Sequence, residues 1–101
     1  MRKDDQTFLQ RRFRKDPDFV YRRIADECLL VPTRRQVVDL NYIYMLNPLA
    51  DRIWELIDGQ KTVLEIHTQL LAEYEVCTEE LEQDLSEFLG QLAEIGGIRE
   101  A

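Results

Sequence analysis

Tyr42-Ile43-Tyr44-Met45-Leu46-Asn47-Pro48-Leu49-Ala50-Asp51-Arg52-Ile53-Trp54-Glu55-Leu56-Ile57-Asp58-Gly59 is the stretch in which the hydrophobic period changes from two to between three and four. Upstream of the change, Val38, Leu40, Tyr42, Tyr44 and Leu46 fall on one face of an extended chain and Asn41, Ile43 and Met45 on the other. Apolar groups on both faces suit a strand covered by helices on one side and partly covered on the other, and the spacing predicts a strand over Val37 to Leu46. Asn47-Pro48 then supplies a helix start: a side-chain acceptor at the N-cap, and a proline where its missing N–H costs nothing. Leu49, Ile53, Leu56 and Ile57 form the apolar stripe of this first helix, with Trp54 beside it, and Asp58-Gly59 ends it.

Downstream, Thr62-Val63-Leu64-Glu65 has the form of a capping box and predicts a second helix with Val63, Ile66, Leu70 and Tyr74 on its buried face. Thr78 is placed to cap a third, whose stripe is Leu81, Leu85, Phe88, Leu89, Leu92 and Ile95, stopped by Gly96-Gly97. Upstream, Val20 to Ile24 and Glu27 to Val31 read as two strands joined tightly at Ala25-Asp26 and closed by Pro32. The order is three strands, then three helices. The fold class expected is α+β, winged helix-turn-helix-like, with a three-stranded antiparallel sheet followed by three helices. Residues 1–17 are dense in charge and read as an N-terminal arm, in which Phe8, Leu9 and Phe13 could support a short helix; residues 18–101 form the domain.

A chain of 101 residues with 45% hydrophobic content builds one domain around one modest core. Its net charge of −7 is unevenly spread, with ten Lys/Arg against six Asp/Glu in residues 1–35 and three against fourteen in residues 36–101. The acidic body argues against nucleic acid, because neutralising phosphate supplies most non-specific affinity. The third helix would have to read the major groove in a DNA-binding winged helix, yet it presents Glu79, Glu80, Glu82, Gln83, Asp84 and Glu87 and no Lys or Arg. No apolar run is long enough for a membrane helix, and the N-terminus leads into charge instead of a signal segment, so a cytoplasmic location is expected.

Catalytic and metal chemistry find little to stand on. His67 is the one histidine, and Cys28 and Cys77 lie far apart without a Cys-x-x-Cys pattern; both read as reduced thiols. Asp84 with Glu87, and Glu79 to Glu82, suit a solvated helix face, and Gly96-Gly97 follows a helix where a phosphate loop would precede one. No cofactor and no metal are expected. What remains is a groove between the last strand and the acidic third helix, where a free strand edge can accept an extended peptide. The same edge could instead be covered by the arm or by a second copy of the chain.

The stretch from Tyr42 to Gly59, followed by Lys61-Thr62-Val63-Leu64-Glu65-Ile66, resembles the PqqD-like peptide chaperones, known as RiPP recognition elements. Tyr74-Glu75-Val76, Asp84-Leu85-Ser86-Glu87-Phe88-Leu89, Leu92 and the closing Ile95-Gly96-Gly97-Ile98 match that family's later pattern. The likeness spans residues 18–99. Its most specific part is the combination Leu46-Asn47, Ala50, Ile53-Trp54, Leu56 and Asp58-Gly59. Val31 to Gln36 depart from the member that serves pyrroloquinoline quinone synthesis, and residues 1–15 lie outside the shared pattern.

The resemblance implies a non-catalytic winged-helix element that binds the leader segment of a ribosomally made precursor peptide. It presents that leader to a modifying enzyme, often a radical S-adenosylmethionine (radical SAM) enzyme. In such proteins the leader adds to the third strand and packs on the third helix. Carried over by position, the peptide-binding residues are Asn41, Tyr42, Ile43, Tyr44 and Met45 on the strand and Leu81, Asp84, Leu85 and Phe88 on the helix. Two other readings stay open: a winged-helix transcriptional regulator using the basic residues 2–35, and an oligomerising subunit that forms a homodimer through a strand edge or a helix swap.

Overall fold

The structure, a computed structural model, describes residues 8–33 and 43–101. Among the described residues the elements are β1 (Phe13–Lys15), β2 (Phe19–Ile24), β3 (Glu27–Pro32), β4 (Tyr44–Leu46), α1 (Pro48–Leu56), α2 (Val63–Glu73), α3 (Thr78–Ile95) and β5 (Ile98–Glu100). β2, β3 and β4 make a three-stranded antiparallel sheet in that spatial order. This is the α+β fold that the order of elements predicts. The strand expected over Val37 to Leu46 is described only from Ile43, and forms over Tyr44–Leu46; positions 37–42 lie outside the described residues.

Local chemistry sets the helix starts. Asn47 caps α1 by accepting from the Ala50 N–H at 2.8 Å, with Pro48 following in the first turn. Both arms of the α2 capping box are made, Thr62 Oγ1 accepting from Glu65 N at 3.1 Å and Glu65 Oε1 accepting from Thr62 N at 2.8 Å. α3 differs by one residue from expectation: Cys77 occupies the N-cap without a side-chain bond, and Thr78 is already helical. At its other end Gly96 takes a left-handed conformation (φ +84°), and the Gly97 N–H returns to the Leu92 carbonyl at 2.8 Å.

One core joins the layers. Leu30 and Leu46 project from the sheet into Ile53, Leu56 and Ile57 of α1 and its C-cap, Ile66 and Leu70 of α2, and Leu81, Leu85, Leu89 and Leu92 of α3, all buried. His67 is buried at the edge of this core, its Nε2 3.3 Å from the Thr78 carbonyl oxygen, which ties α2 to the start of α3. Cys28 is buried, Cys77 exposed, and both are free thiols. Among the described residues no helix is long and apolar enough to cross a membrane.

The segment read as an arm is part of the body from Phe8 onward. Phe8 and Leu9 pack against the core in a short helical turn. Phe13 is buried in β1, a strand instead of the helix that the Phe8, Leu9 and Phe13 spacing allowed. β1 pairs antiparallel with β5, Phe13 opposite Glu100 and Lys15 opposite Ile98. On its other side the same segment bonds the α1–α2 connection and the first residue of α2, through Gly59 N to Phe13 O at 2.8 Å and Val63 N to Arg11 O at 2.9 Å. Lys15 Nζ stands 5.2 Å from the centre of the Trp54 ring on α1.

Asp16 closes this seam. It is only 2% exposed, and its Oδ2 accepts from Arg99 Nη2 at 2.5 Å while Oδ1 accepts from the Asp18 N–H at 2.8 Å. Its own N–H donates to the Gly97 carbonyl at 2.9 Å. Asp16→Ala is therefore expected to lower the unfolding free energy by about 2 kcal/mol, measured by urea titration, since it removes charge-assisted bonds from a buried position.

A second tie has a pH signature. Arg52 of α1 grips Glu73 at the end of α2 by two bonds, Nε to Oε1 at 2.8 Å and Nη2 to Oε2 at 2.6 Å. The guanidinium holds the Glu73 carboxyl down at about 2, against an ordinary 4.5, helped by the Gln69 amide. A carboxylate with a lowered folded pKa contributes its full stability above the ordinary value, and loses it as pH falls toward the folded one. The melting temperature should therefore drop between about pH 4.5 and about pH 2, and drop less steeply in Glu73→Gln.

Candidate functional site

β4 is the last strand of its sheet, so on the side away from β3 its N–H and C=O groups have no strand partner among the described residues. Beside that edge runs a groove of about 330 Å³. Its three walls are β4 with Asn47 (Tyr44, Met45), α1 (Leu49, Ala50, Ile53) and α3 (Asp84, Glu87, Phe88, Gln91). Because strand side chains alternate, Tyr44 and Leu46 turn toward the helices while Met45, 60% exposed, stands on the opposite face at the rim.

Tyr44 links strand to helix in two ways. Its ring meets Phe88 edge-on, centroids 6.0 Å apart at 65°, and its hydroxyl donates to Gln91 Oε1. Burial pushes the Tyr44 phenol up from its ordinary value, so it stays a neutral donor well above neutral pH. The wall on α3 follows from helical rotation. Leu81, Leu85, Leu89 and Leu92 point into the core, and Asp84, Glu87 and Gln91 lie on the adjoining strip, with Phe88 on the boundary between the two.

The structure thus brings together Tyr44, Met45, Asp84 and Phe88 of the residues expected at the site, with Ile43 half-buried just before the strand. Asn41 and Tyr42 lie outside the described residues. Leu81 and Leu85 do not line the groove: they are the inward positions of α3 and belong to the core. Sequence reasoning missed Asn47, Leu49, Ala50 and Ile53 as a wall, and Glu87 and Gln91 as part of another. The signal was present in Ala50, a small residue on the rim of the α1 stripe that leaves space beside β4, and in the i, i+3, i+7 spacing of Asp84, Glu87 and Gln91.

Residues 27–98 match the family model described as coenzyme PQQ synthesis protein D (PqqD). The chain belongs to the PqqD family. That match contains all the groove-lining residues and leaves out β1 and β2. Among solved structures, TbiB1 in complex with the TbiA(beta) leader peptide is similar to this PqqD-family chain with a TM-score of 0.69 and 28% sequence identity. The alignment covers 85% of this chain and 94% of that one. No curated protein matches the sequence.

The groove's residues differ in what they contribute to the fold, and substitution should separate them. Tyr44→Phe removes one hydroxyl bond at a half-buried position and is expected to cost about 1 kcal/mol or less. Phe88→Ala empties a buried ring site and is expected to cost about 3 kcal/mol, both read from denaturant midpoints.

Proposed function

We infer that this chain is a non-catalytic peptide chaperone that binds the leader segment of a ribosomally made precursor peptide and presents it to a modifying enzyme. The observation that carries the reading is the edge of β4, unpaired among the described residues, lying along a groove walled by α1 and α3. The similar protein TbiB1 was solved with a leader peptide bound, and membership of the PqqD family agrees with it. An extended segment adding to β4 would gain main-chain bonds for affinity. Its alternate side chains would enter the groove and supply selectivity.

In this reading the chain does no chemistry of its own. It raises the effective concentration of substrate beside the enzyme, which acts on a part of the peptide that the groove does not hold. The enzyme is of the radical SAM class that the resemblance implies, and the encounter takes place in the cytoplasm, where precursors are made. Tyr44, Met45, Asp84 and Phe88 are the contacts we assign from the expected set, joined by Leu49, Ile53, Glu87 and Gln91. Asn41, Tyr42 and Ile43 are further contacts that the resemblance implies, the first two outside the described residues.

Titration with precursor peptides encoded beside the gene, followed by backbone NMR, tests this. The amides of Tyr44 to Leu46 and of Asp84 to Gln91 should shift together on addition of leader. If every such peptide leaves them unmoved, the site is wrong. Light scattering on the same samples separates peptide occupancy from the pairing of two copies through the same edge. A purified radical SAM enzyme from the same neighbourhood should modify its precursor faster when the chain is present, and an unchanged rate would remove that partner.

A further inference from the structure

The lining of the groove includes two carboxylates, Asp84 and Glu87, and no lysine or arginine. Both are exposed and neither forms an ion pair among the described residues. The cations on α1 and the connection after it are engaged elsewhere, Arg52 with Glu55 and Glu73 and Lys61 with Asp58. α3 itself carries no basic residue over its length. Next to the two carboxylates the groove turns apolar, with Ile53 buried, Leu49 and Ala50 half-buried, and the Phe88 ring held against Tyr44.

We propose that the groove selects an extended peptide segment in which a lysine or arginine stands two residues from an apolar side chain. The proposal rests on the reading of the groove as a peptide site and adds its selectivity. A segment added to β4 turns residues i and i+2 to the same side, roughly 6.5 Å apart. Asp84 and Glu87 are three residues apart on one face of α3, a rise of about 4.5 Å, so a single cationic head reaches both. The aliphatic stem of that side chain lies along the apolar part of the groove while its charge meets the carboxylates. The neighbouring apolar residue sits against Leu49, Ile53 and Phe88. An acidic residue in the cation's position would face two like charges beside an apolar wall, which disfavours it.

The test uses short capped peptides of threonine-rich, extended sequence. They are identical except for Lys, Gln or Glu two positions from a single Leu, and are titrated into the full chain and followed by the amides of Tyr44 to Leu46. The Lys peptide should bind roughly fivefold or more tightly than the Glu peptide, with Gln between, and added salt should narrow the spread. The exposed double substitution Asp84→Lys/Glu87→Lys should invert the order. An order that is flat, or that survives the double substitution while those amides still shift, overturns the selectivity and leaves the groove a peptide site. If all the peptides leave those amides unmoved, the groove reading falls and the selectivity with it.

Discussion

The burial of one apolar stripe on α3 is the constraint from which the other positions follow. Over 18 residues the helix presents Leu81, Leu85, Leu89 and Leu92 to the core, and these side chains are almost wholly withdrawn from water. Each buried leucine is worth roughly 1.5–3 kcal/mol of transfer free energy, so the helix cannot rotate about its axis without losing most of what holds it. Once that rotation is set, the strip of Asp84, Glu87 and Gln91 has one place to go, beside β4. The wall of the groove is a consequence of the core.

The core and the proposed recognition groove consequently sit on adjacent faces of the same elements. On α1, Ile53, Trp54 and Leu56 are buried, while Leu49 and Ala50 on the rim are only partly covered and line the groove. On β4, Leu46 belongs to the core, Tyr44 spans to Phe88 and Gln91, and Met45 stands outside. A peptide added along this edge would complete a sheet that is already held by β3. The proposed binding surface sits on elements already packed into the core, which would reduce the ordering cost of association.

β1 and β5 brace the core away from the residues that line the groove. β1 lies between β5 and the α1–α2 connection, and Asp16 is bonded to Arg99 across 83 positions of sequence. This brings the early segment against the acidic body, where Arg11 meets Glu100 at 3.7 Å on the surface, while the buried Asp16 takes its cation, Arg99, from the body. Among the described residues, the carboxylates without an ion pair are concentrated on α3.

By itself the sequence determined those features that rest on neighbours within a few positions. Asn47 and Pro48 start α1, Thr62 and Glu65 start α2, Gly96 stops α3, and the change of period at Leu46 marks where strand becomes helix, because caps and periodicity are local physics. The three-strand, three-helix order followed from these, as did the family pattern over Tyr42 to Gly59. Only the tertiary structure decided that Phe13 to Asp16 join Ile98 to Glu100, since both segments are too short to show a period and their partners lie at opposite ends of the chain. It also decided that Leu81 and Leu85 serve the core while Leu49, Ala50, Ile53, Glu87 and Gln91 wall the groove. A sequence shows which residues share a helix face, but which face meets which neighbour depends on how three helices pack together on one sheet.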